Sequence, residues 1–174
     1  MADGTMLRPG AGQLIAGGGL HALLKIPGGP DAITSTFEIT VPPGYDVGAH
    51  VHTRGEELFY VLEGTLDMLA FEPVDRTPHD WHTWVCADGR RFMRGGIGSL
   101  MHVPAGVPHA FGNLSDQPAR MLFQAAPDGH EDYFVELAAL LRASNGKPDL
   151  AAVAEIRARH DIHQLTALSD GRDR

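Results

Sequence analysis

The sequence predicts an all-β domain, a sandwich or barrel of short strands, followed by two α-helices. Between about residues 20 and 126, apolar and polar residues alternate with period two, which is typical of strands with one face in a core. The chain of 174 residues also contains 21 glycines and 12 prolines, which indicates many turns. After residue 128 the apolar residues take helical spacing instead.

The alternation is clearest in residues 33–41, where every second side chain belongs to one face. That face is predicted to be buried and carries Ile33, Ser35, Phe37, Ile39 and Val41. The opposite face carries threonine and glutamate and is expected in solvent. The same pattern predicts further strands whose inner side chains are Leu20, Ala22, Leu24 and Ile26, and Ala119, Met121, Phe123 and Ala125.

The segment from Glu57 to Glu63 differs because both of its faces are apolar. Leu58, Tyr60 and Leu62 alternate with two apolar residues of the other face, Phe59 and Val61. Such a strand is expected to be covered on both sides. The N-terminal segment or a second subunit could provide the cover, and a homodimer is our expectation.

Two helices are predicted after residue 128. The first has an apolar stripe of Phe134, Leu137, Ala138 and Leu141, and Asn145-Gly146 ends it. The second begins at Pro148-Asp149 and ends near His160, and its inner stripe is predicted to be Leu150, Val153, Ala154 and the stem of Arg157. We expect both helices to pack outside a β-domain of residues 1–128, as an extension over 129–168 before a frayed tail at 169–174.

Charge and composition exclude several classes of function. A net charge of -8 argues against a nucleic-acid partner, and no apolar run is long enough to span a membrane. The N-terminus lacks a basic patch followed by an apolar stretch, so the protein is expected to be cytoplasmic. The single cysteine, Cys86, has no partner for a disulfide and is interpreted as structural.

A group of metal-ligand residues lies between Gly44 and Glu57. His50 and His52 are two positions apart on a predicted strand, so their side chains share one face. Glu57 follows a turn-like Thr53-Arg54-Gly55 segment and enters the next strand, which can place its carboxylate beside both imidazoles. Imidazole and carboxylate together suit a divalent transition metal.

A second group spans residues 98–113 and contains another histidine, His109. Pro104, Gly106 and Pro108 bend the chain just before it, and such a rigid turn can fix an imidazole in place.

The two segments resemble the paired motifs of the cupin superfamily. The first family pattern, G-x5-H-x-H-x3or4-E-x6-G, and the second, G-x5-P-x-G-x2-H-x3-N, match at all ten defining positions. These positions are Gly44, His50, His52, Glu57, Gly64, Gly98, Pro104, Gly106, His109 and Asn113.

The resemblance implies a double-stranded β-helix, the jelly-roll barrel of small single-domain cupins. It implies that His50, His52, Glu57 and His109 are metal ligands, whereas Gly44, Gly64 and Asn113 are structural. Fe, Mn, Ni, Cu or Zn could occupy such a site, and an octahedral ion would keep two positions for water, dioxygen or substrate. The apolar interior, expected from Ile33, Phe37, Phe59, Met68, Met121 and Phe123, would exclude water there.

Three functions are compatible with this interpretation. The first is a dioxygenase-type oxidoreductase, similar to quercetinase-like cupins, that acts on a small enolate or hydroxy-carbonyl substrate with Glu57 as general base. The second is a non-redox isomerase, cyclase or lyase, resembling polyketide cyclases. The third is a non-catalytic protein that binds a small ligand or metal.

Other polar and aromatic residues receive weaker interpretations. Glu56 and His102 are expected to point away from the cavity, and His130, His160 and His163 to lie at the surface. The connection 65–97 is expected to be a solvent-facing hairpin with a tryptophan covering the barrel edge, although a lid or substrate wall stays open; its candidates are His79, Trp81, His82 and Trp84. A solvated basic turn is expected at Arg90, Arg91 and Arg94, with contact to an anionic substrate as the alternative.

Overall fold

The computed structural model describes residues 4–127 and 129–167, which form two packed β-sheets and two α-helices. The strands are β1 (Gln13–Gly17), β2 (Leu20–Ile26), β3 (Ser35–Val41), β4 (His50–Val51), β5 (Glu56–Glu63), β6 (Leu66–Ala70), β7 (Met93–Gly95), β8 (Leu100–Val103), β9 (His109–Gly112), β10 (Ala119–Ala126) and β11 (His163–Gln164). The helices are α1 (His130–Ala143) and α2 (Leu150–Arg159), and a short 3-10 helix covers Trp81–Thr83.

The larger sheet has the order β1-β2-β3-β10-β5-β8 and the smaller one β11-β4-β9-β6-β7. All strand pairs are antiparallel. Phe123 on β10 lies opposite Phe37 on β3 and Phe59 on β5, so aromatic rings stack across the middle of the larger sheet. Inner side chains of both sheets belong to one core, which confirms the predicted jelly-roll architecture.

The predicted inner face of β3 is wrong at one residue. Ile33 is 79% exposed, because β3 begins only at Ser35 and the preceding residues turn away from the sheet. From Ser35 onward the predicted alternation holds, with Phe37, Ile39 and Val41 buried.

The outer face of β5 is only partly covered by the chain itself. Tyr60 and Leu62 are exposed there. The N-terminal strand β1 pairs with β2 at the far side of the same sheet, so it does not cover β5. A second subunit therefore stays our predicted cover for this face.

Helix α1 packs its inner face onto the larger sheet. Tyr133, Phe134, Leu137 and Ala138 are buried, and the Phe134 ring lies 5.0 Å from that of Phe37 in an edge-to-face arrangement. The prediction of this helix and of its inner stripe is largely confirmed.

Helix α2 also forms where expected, but its inner stripe differs from the prediction. Val153, Ile156 and Arg157 are buried, whereas Leu150 and Ala154 are exposed. Asp149 caps the helix through its carboxylate and the amide of Ala151, and Leu150 therefore lies in the exposed first turn.

The C-terminal extension is more than helical, because β11 follows α2 and pairs with β4. His163 lies opposite Val51, and Gln164 opposite His50. The extension thus reaches the strand that carries His50 and directly precedes His52. The predicted frayed tail, 169–174, lies outside the described residues. Within the described part of the chain, neither helix has the length and apolar character needed to cross a membrane.

Candidate metal centre

The four predicted ligands come together between the two sheets. His50 on β4 lies opposite His109 on β9 in the smaller sheet. His52 follows β4, and Glu57 enters from β5 of the larger sheet. All four side chains are buried, with exposed fractions of 0 to 6%.

The distances within this cluster fit ligands of one ion. One ligand atom from each of the four residues can be chosen so that all lie within 4.8 Å of one another. The carboxylate oxygens of Glu57 lie 3.1 Å from Nε2 of His52 and 2.9 Å from Nε2 of His109. Two donors at right angles around an ion, each about 2.1 Å from it, stand roughly 3 Å apart.

Backbone carbonyls orient two of the imidazoles. Nδ1 of His50 donates to the carbonyl of Gly48 at 2.9 Å, and Nδ1 of His109 donates to that of Val107 at 3.0 Å. The proton on Nδ1 leaves the Nε2 lone pair free to bind a metal.

Three buried polar atoms of the cluster have no hydrogen bond of ordinary geometry, although oxygens of Glu57 lie close to both imidazoles. These atoms are Nε2 of His52, Nε2 of His109 and Oε2 of Glu57. Buried polar atoms are normally satisfied, and a cation between these three would satisfy them together. The cluster is therefore compatible with a metal site, as the ligand chemistry also indicates.

Electrostatics within the cluster favour a carboxylate and a proton-binding imidazole. Burial alone would raise the pKa of the Glu57 carboxyl, but the adjacent imidazoles of His109 and His52 hold that pKa well below its usual value. Burial lowers the pKa of His52, yet contact with Glu57 outweighs it and raises that pKa. A proton therefore competes with a cation at His52.

The pKa of His50 is shifted in the opposite direction to that of His52. Its pKa lies well below the usual value, mainly because of burial and also because of the neighbouring His109. A neutral imidazole is the form that binds metals.

An apolar cavity adjoins the cluster and continues to the surface. The inner cavity, of about 50 Å³, is lined by His50 and Glu57 together with aromatic side chains that include Phe59, Phe111, Phe123 and Phe134. It shares Tyr45, Tyr133 and Arg157 with an outer groove of about 420 Å³. A third space, the polar pocket of about 330 Å³, reaches His52 and Glu57 from the side of Arg54, Arg159 and Asp161.

His130, predicted at the surface, instead lies beside the cluster. Its side chain is 13% exposed and its Nδ1 is 3.9 Å from Oε1 of Glu57. It is the first residue of α1, and its ring packs edge-to-face on Phe123 and Phe134. The prediction failed because a polar residue at a helix start is usually exposed, and only the docking of α1 on the sheet buries this one.

Asp161 is another residue near the site that the sequence did not indicate. Its carboxylate accepts hydrogen bonds from the amides of Thr53 and Arg54 and, at 2.6 Å, from the Thr53 hydroxyl. These contacts hold the turn between His52 and Glu57. Asp161 has a φ of 59°, a conformation tolerated by aspartate more readily than by most residues.

The remaining predicted histidines lie away from the cluster. His102 is half exposed, with Nε2 3.7 Å from the exposed carboxylate of Glu56, so both point outward as expected. His163 is also exposed, whereas His160 is largely buried and pairs with Glu136, so its predicted surface position is wrong. The docking of α2 against α1 accounts for this burial.

The connection between β6 and β7 builds a second small core instead of a cavity wall. Trp81 and Trp84 are buried with Leu69 and Ala110 on the face of the smaller sheet opposite the metal cluster. His82 stacks on Trp81 with ring centroids 3.6 Å apart, and His79 is exposed. The basic residues pair locally, Arg94 with Asp67 and Arg90 with Asp88.

Asn113 and Gly64 have structural roles. The Asn113 amide donates to the carbonyls of Val41 and Gln117, and its oxygen accepts from the amide and hydroxyl of Ser115. Gly64 has a φ of 73°, and a Cβ there would lie 3.0 Å from the Ala119 Cα. Both therefore fix turns at the ends of strands.

Comparison with known proteins gives matches to one family. The Cupin family profile matches residues 23–145. The curated relative "Polyketide synthase CurC" of Streptomyces cyaneus is 32% identical over 85 residues, which are 49% of this chain and 44% of the relative. The aligned region therefore spans less than half of that relative's length.

Solved structures share the fold at low identity. A sugar phosphate isomerase of the cupin superfamily from Silicibacter pomeroyi has a TM-score of 0.51 and 18% identity, and the match covers 70% of this chain and 75% of that one. A Cupin 2 conserved barrel domain protein from Salinispora arenicola has a TM-score of 0.48 and 18% identity, over 91% and 100% of the two chains. With the family profile matching most of its length, this chain belongs to the cupin family.

Proposed function

We propose that the protein is a metal-dependent enzyme whose ligands are His50, His52, Glu57 and His109, and that its substrate is a small enolate or hydroxy-carbonyl compound. One observation carries this proposal: a buried cluster of imidazole and carboxylate groups, with three polar atoms lacking a hydrogen bond of ordinary geometry, adjoins an apolar cavity through His50 and Glu57. Burying such atoms is costly unless a cation compensates them.

The donor set determines what an ion could do here. Three neutral imidazoles and one carboxylate leave a divalent ion with a charge of about +1, and Fe, Mn, Ni, Cu and Zn all accept such donors. A bound ion would polarise substrate oxygens and, if redox-active, would allow electron exchange with dioxygen.

The protein's own side chains orient the substrate, exclude water and supply a general base. Phe59, Phe111 and Phe123 line the inner cavity and exclude water from it. The Glu57 carboxylate lines the same cavity and is our candidate to accept a proton from a substrate carbon or hydroxyl. His130 faces that carboxylate from α1.

We favour an oxidoreductase of dioxygenase type, because the paired motifs resemble those of quercetinase-like single-domain cupins. In such a reaction an enolate substrate would be oxidised by dioxygen. The inner cavity, of about 50 Å³, has room for dioxygen or a small substrate group, and a larger substrate body would extend into the outer groove.

A second candidate is a non-redox isomerase, cyclase or lyase. The similarity to "Polyketide synthase CurC" favours it, since polyketides are rich in the enolisable carbonyl groups that the site would bind. Zinc would be sufficient for this chemistry.

The deciding experiment begins with the metal content of protein purified without added metal. Oxygen uptake is then measured with enediol and flavonol compounds after loading with each candidate ion. Uptake with a redox-active ion supports the dioxygenase. Zinc alone with no oxygen use supports the second candidate, whereas no metal under any loading condition removes both and leaves a non-catalytic binding protein.

A further inference from the structure

Arg157 is a buried cation on the inner face of α2. It is 4% exposed, although arginine is rarely buried unless it is paired. Its Nη2 donates to the Val47 carbonyl at 3.0 Å, its Nε to the Tyr133 hydroxyl at 3.4 Å, and its Nη1 to the Gln164 side-chain oxygen.

All three acceptors are neutral. Among residues 4–127 and 129–167, no carboxylate oxygen lies within 4.0 Å of the Arg157 guanidinium. A guanidinium has five N–H donors and does not lose its proton in proteins, so its charge stays and further donors remain. A buried charge without a counter-ion is strongly unfavourable.

The position of Arg157 indicates where a counter-ion could lie. Its side chain lines both the inner cavity and the outer groove, together with Tyr45 and Tyr133. The inner cavity leads from there to His50 and Glu57. A molecule that occupies both spaces would therefore contact the metal cluster at one end and the guanidinium at the other.

We propose that Arg157 binds an anionic group of the substrate, and that this substrate is an organic carboxylate with an apolar body. This inference rests on the proposed function for the reacting end of the molecule. A carboxylate would supply the missing counter-charge and accept the remaining N–H groups of the guanidinium. The outer groove, of about 420 Å³, has room for the apolar body, whereas the inner cavity, of about 50 Å³, admits only a small reacting group.

A purely structural role for Arg157 makes a different prediction. In that case the three hydrogen bonds only attach α2 to α1, to the segment before β4 and to β11, and the charge of a bound molecule would not matter. Affinity for a charged ligand therefore separates the two roles.

The test compares benzoate with benzamide, which share a shape but differ in charge. Calorimetric titration of the zinc-loaded protein is expected to show benzoate binding at least about 10-fold tighter, as a charge-assisted hydrogen bond would give. Arg157→Gln should abolish this preference and Arg157→Lys should retain part of it. The matched control Arg76→Gln removes an exposed guanidinium that pairs with Glu72 and lines neither the inner cavity nor the outer groove, so it should leave the preference unchanged.

A second series of titrations tests whether benzoate binds to zinc and not to Arg157. In chelator-treated protein the preference for benzoate should persist, and it should still require Arg157. A preference that survives Arg157→Gln but is lost when zinc is removed would overturn the inference. Equal or undetectable binding of both probes to the wild-type protein would also overturn it.

These outcomes are separable from those of the proposed function. If wild-type protein binds no metal yet keeps the Arg157-dependent preference, the proposed function fails and the anion site stands. If Arg157→Gln loses its cooperative thermal transition, Arg157→Lys and the wild-type pair of titrations decide: a reduced but measurable preference in Arg157→Lys supports the anion contact, whereas an unaltered preference there, or none in wild type, overturns it.

Discussion

Nδ1 of His130 lies 3.9 Å from Oε1 of Glu57, so a residue of helix α1 faces the carboxylate of the metal cluster. Burial lowers the pKa of His130 to about 4, which makes its imidazole neutral near pH 7. His130 also lines both the inner cavity and the polar pocket. It is therefore placed to exchange a hydrogen bond with substrate or with the Glu57 carboxylate without adding charge.

His130→Phe is expected to keep the metal but lose turnover. The ring lies among Phe123, Phe134 and Tyr133, so phenylalanine can replace its packing while removing its nitrogen atoms. Metal content measured by elemental analysis should equal that of wild type, and turnover of any accepted substrate should fall about 100-fold, as for loss of a proton-transfer group. Loss of metal in this variant would instead identify His130 as a ligand.

His50→Ala and His109→Ala are each expected to weaken metal binding by about 100-fold or more. Even substitution of a residue that only hydrogen-bonds to a metal ligand lowers metal affinity by about 10- to 100-fold. His102→Ala should keep the wild-type affinity because its side chain points outward towards Glu56. Competitive titration with a chromophoric chelator measures all three. Equal loss in the three variants would contradict the ligand assignment.

Much of the fold could be predicted because its signals are local. Alternation along β3, β5 and β10 depends only on which face is buried, and the turns around Gly64 and Asn113 require particular residue types. Where the alternation continues beyond the end of a strand, as at Ile33, it predicts a buried side chain that is in fact exposed. The alternation of apolar and polar residues does not indicate at which residue a strand begins.

The ligand set was predictable from spacing, whereas the groups around it were not. His130, Asp161 and Arg157 reach the site only because the C-terminal extension docks on the barrel and β11 joins β4. For Arg157, helical periodicity predicted a buried stem, which is confirmed, but nothing in the sequence placed its guanidinium at a cavity. The burial of His130 and Asp161 is a consequence of tertiary packing, which no short-range pattern encodes.

Asn113→Ala is expected to destabilise the protein by about 3 kcal/mol. The substitution removes four hydrogen bonds and leaves the carbonyls of Val41 and Gln117 without this donor. Chemical denaturation monitored by circular dichroism measures the free energy of unfolding. The matched control Ser115→Ala removes one hydrogen bond to Asn113 and two exposed ones to Gln117, and should cost about 1 kcal/mol. Equal effects of the two substitutions would show that the buried Asn113 hydrogen bonds are not the cause.

The stability contributed by Asp161 should be lost in acid. Burial tends to raise its pKa, but hydrogen bonds from Thr53 and Arg54, and from His163, outweigh burial and lower that pKa to about 2. Because the folded-state pKa lies below the unfolded value of about 4, the contribution is present above pH 4 and disappears as the pH falls through 2.

Asp161→Asn should therefore be less stable than wild type by about 2 kcal/mol at pH 7, and this difference should narrow between pH 4 and pH 2. Urea denaturation across that range measures it, with Glu155→Gln on the exposed face of α2 as a control whose difference from wild type stays small. A difference between wild type and Asp161→Asn that is constant with pH would mean that the hydrogen bonds to the 53–54 turn do not depend on the charge of Asp161. In that case the turn between His52 and Glu57 would be held by hydrogen-bond geometry alone, and an asparagine would keep both ligands in place in acid.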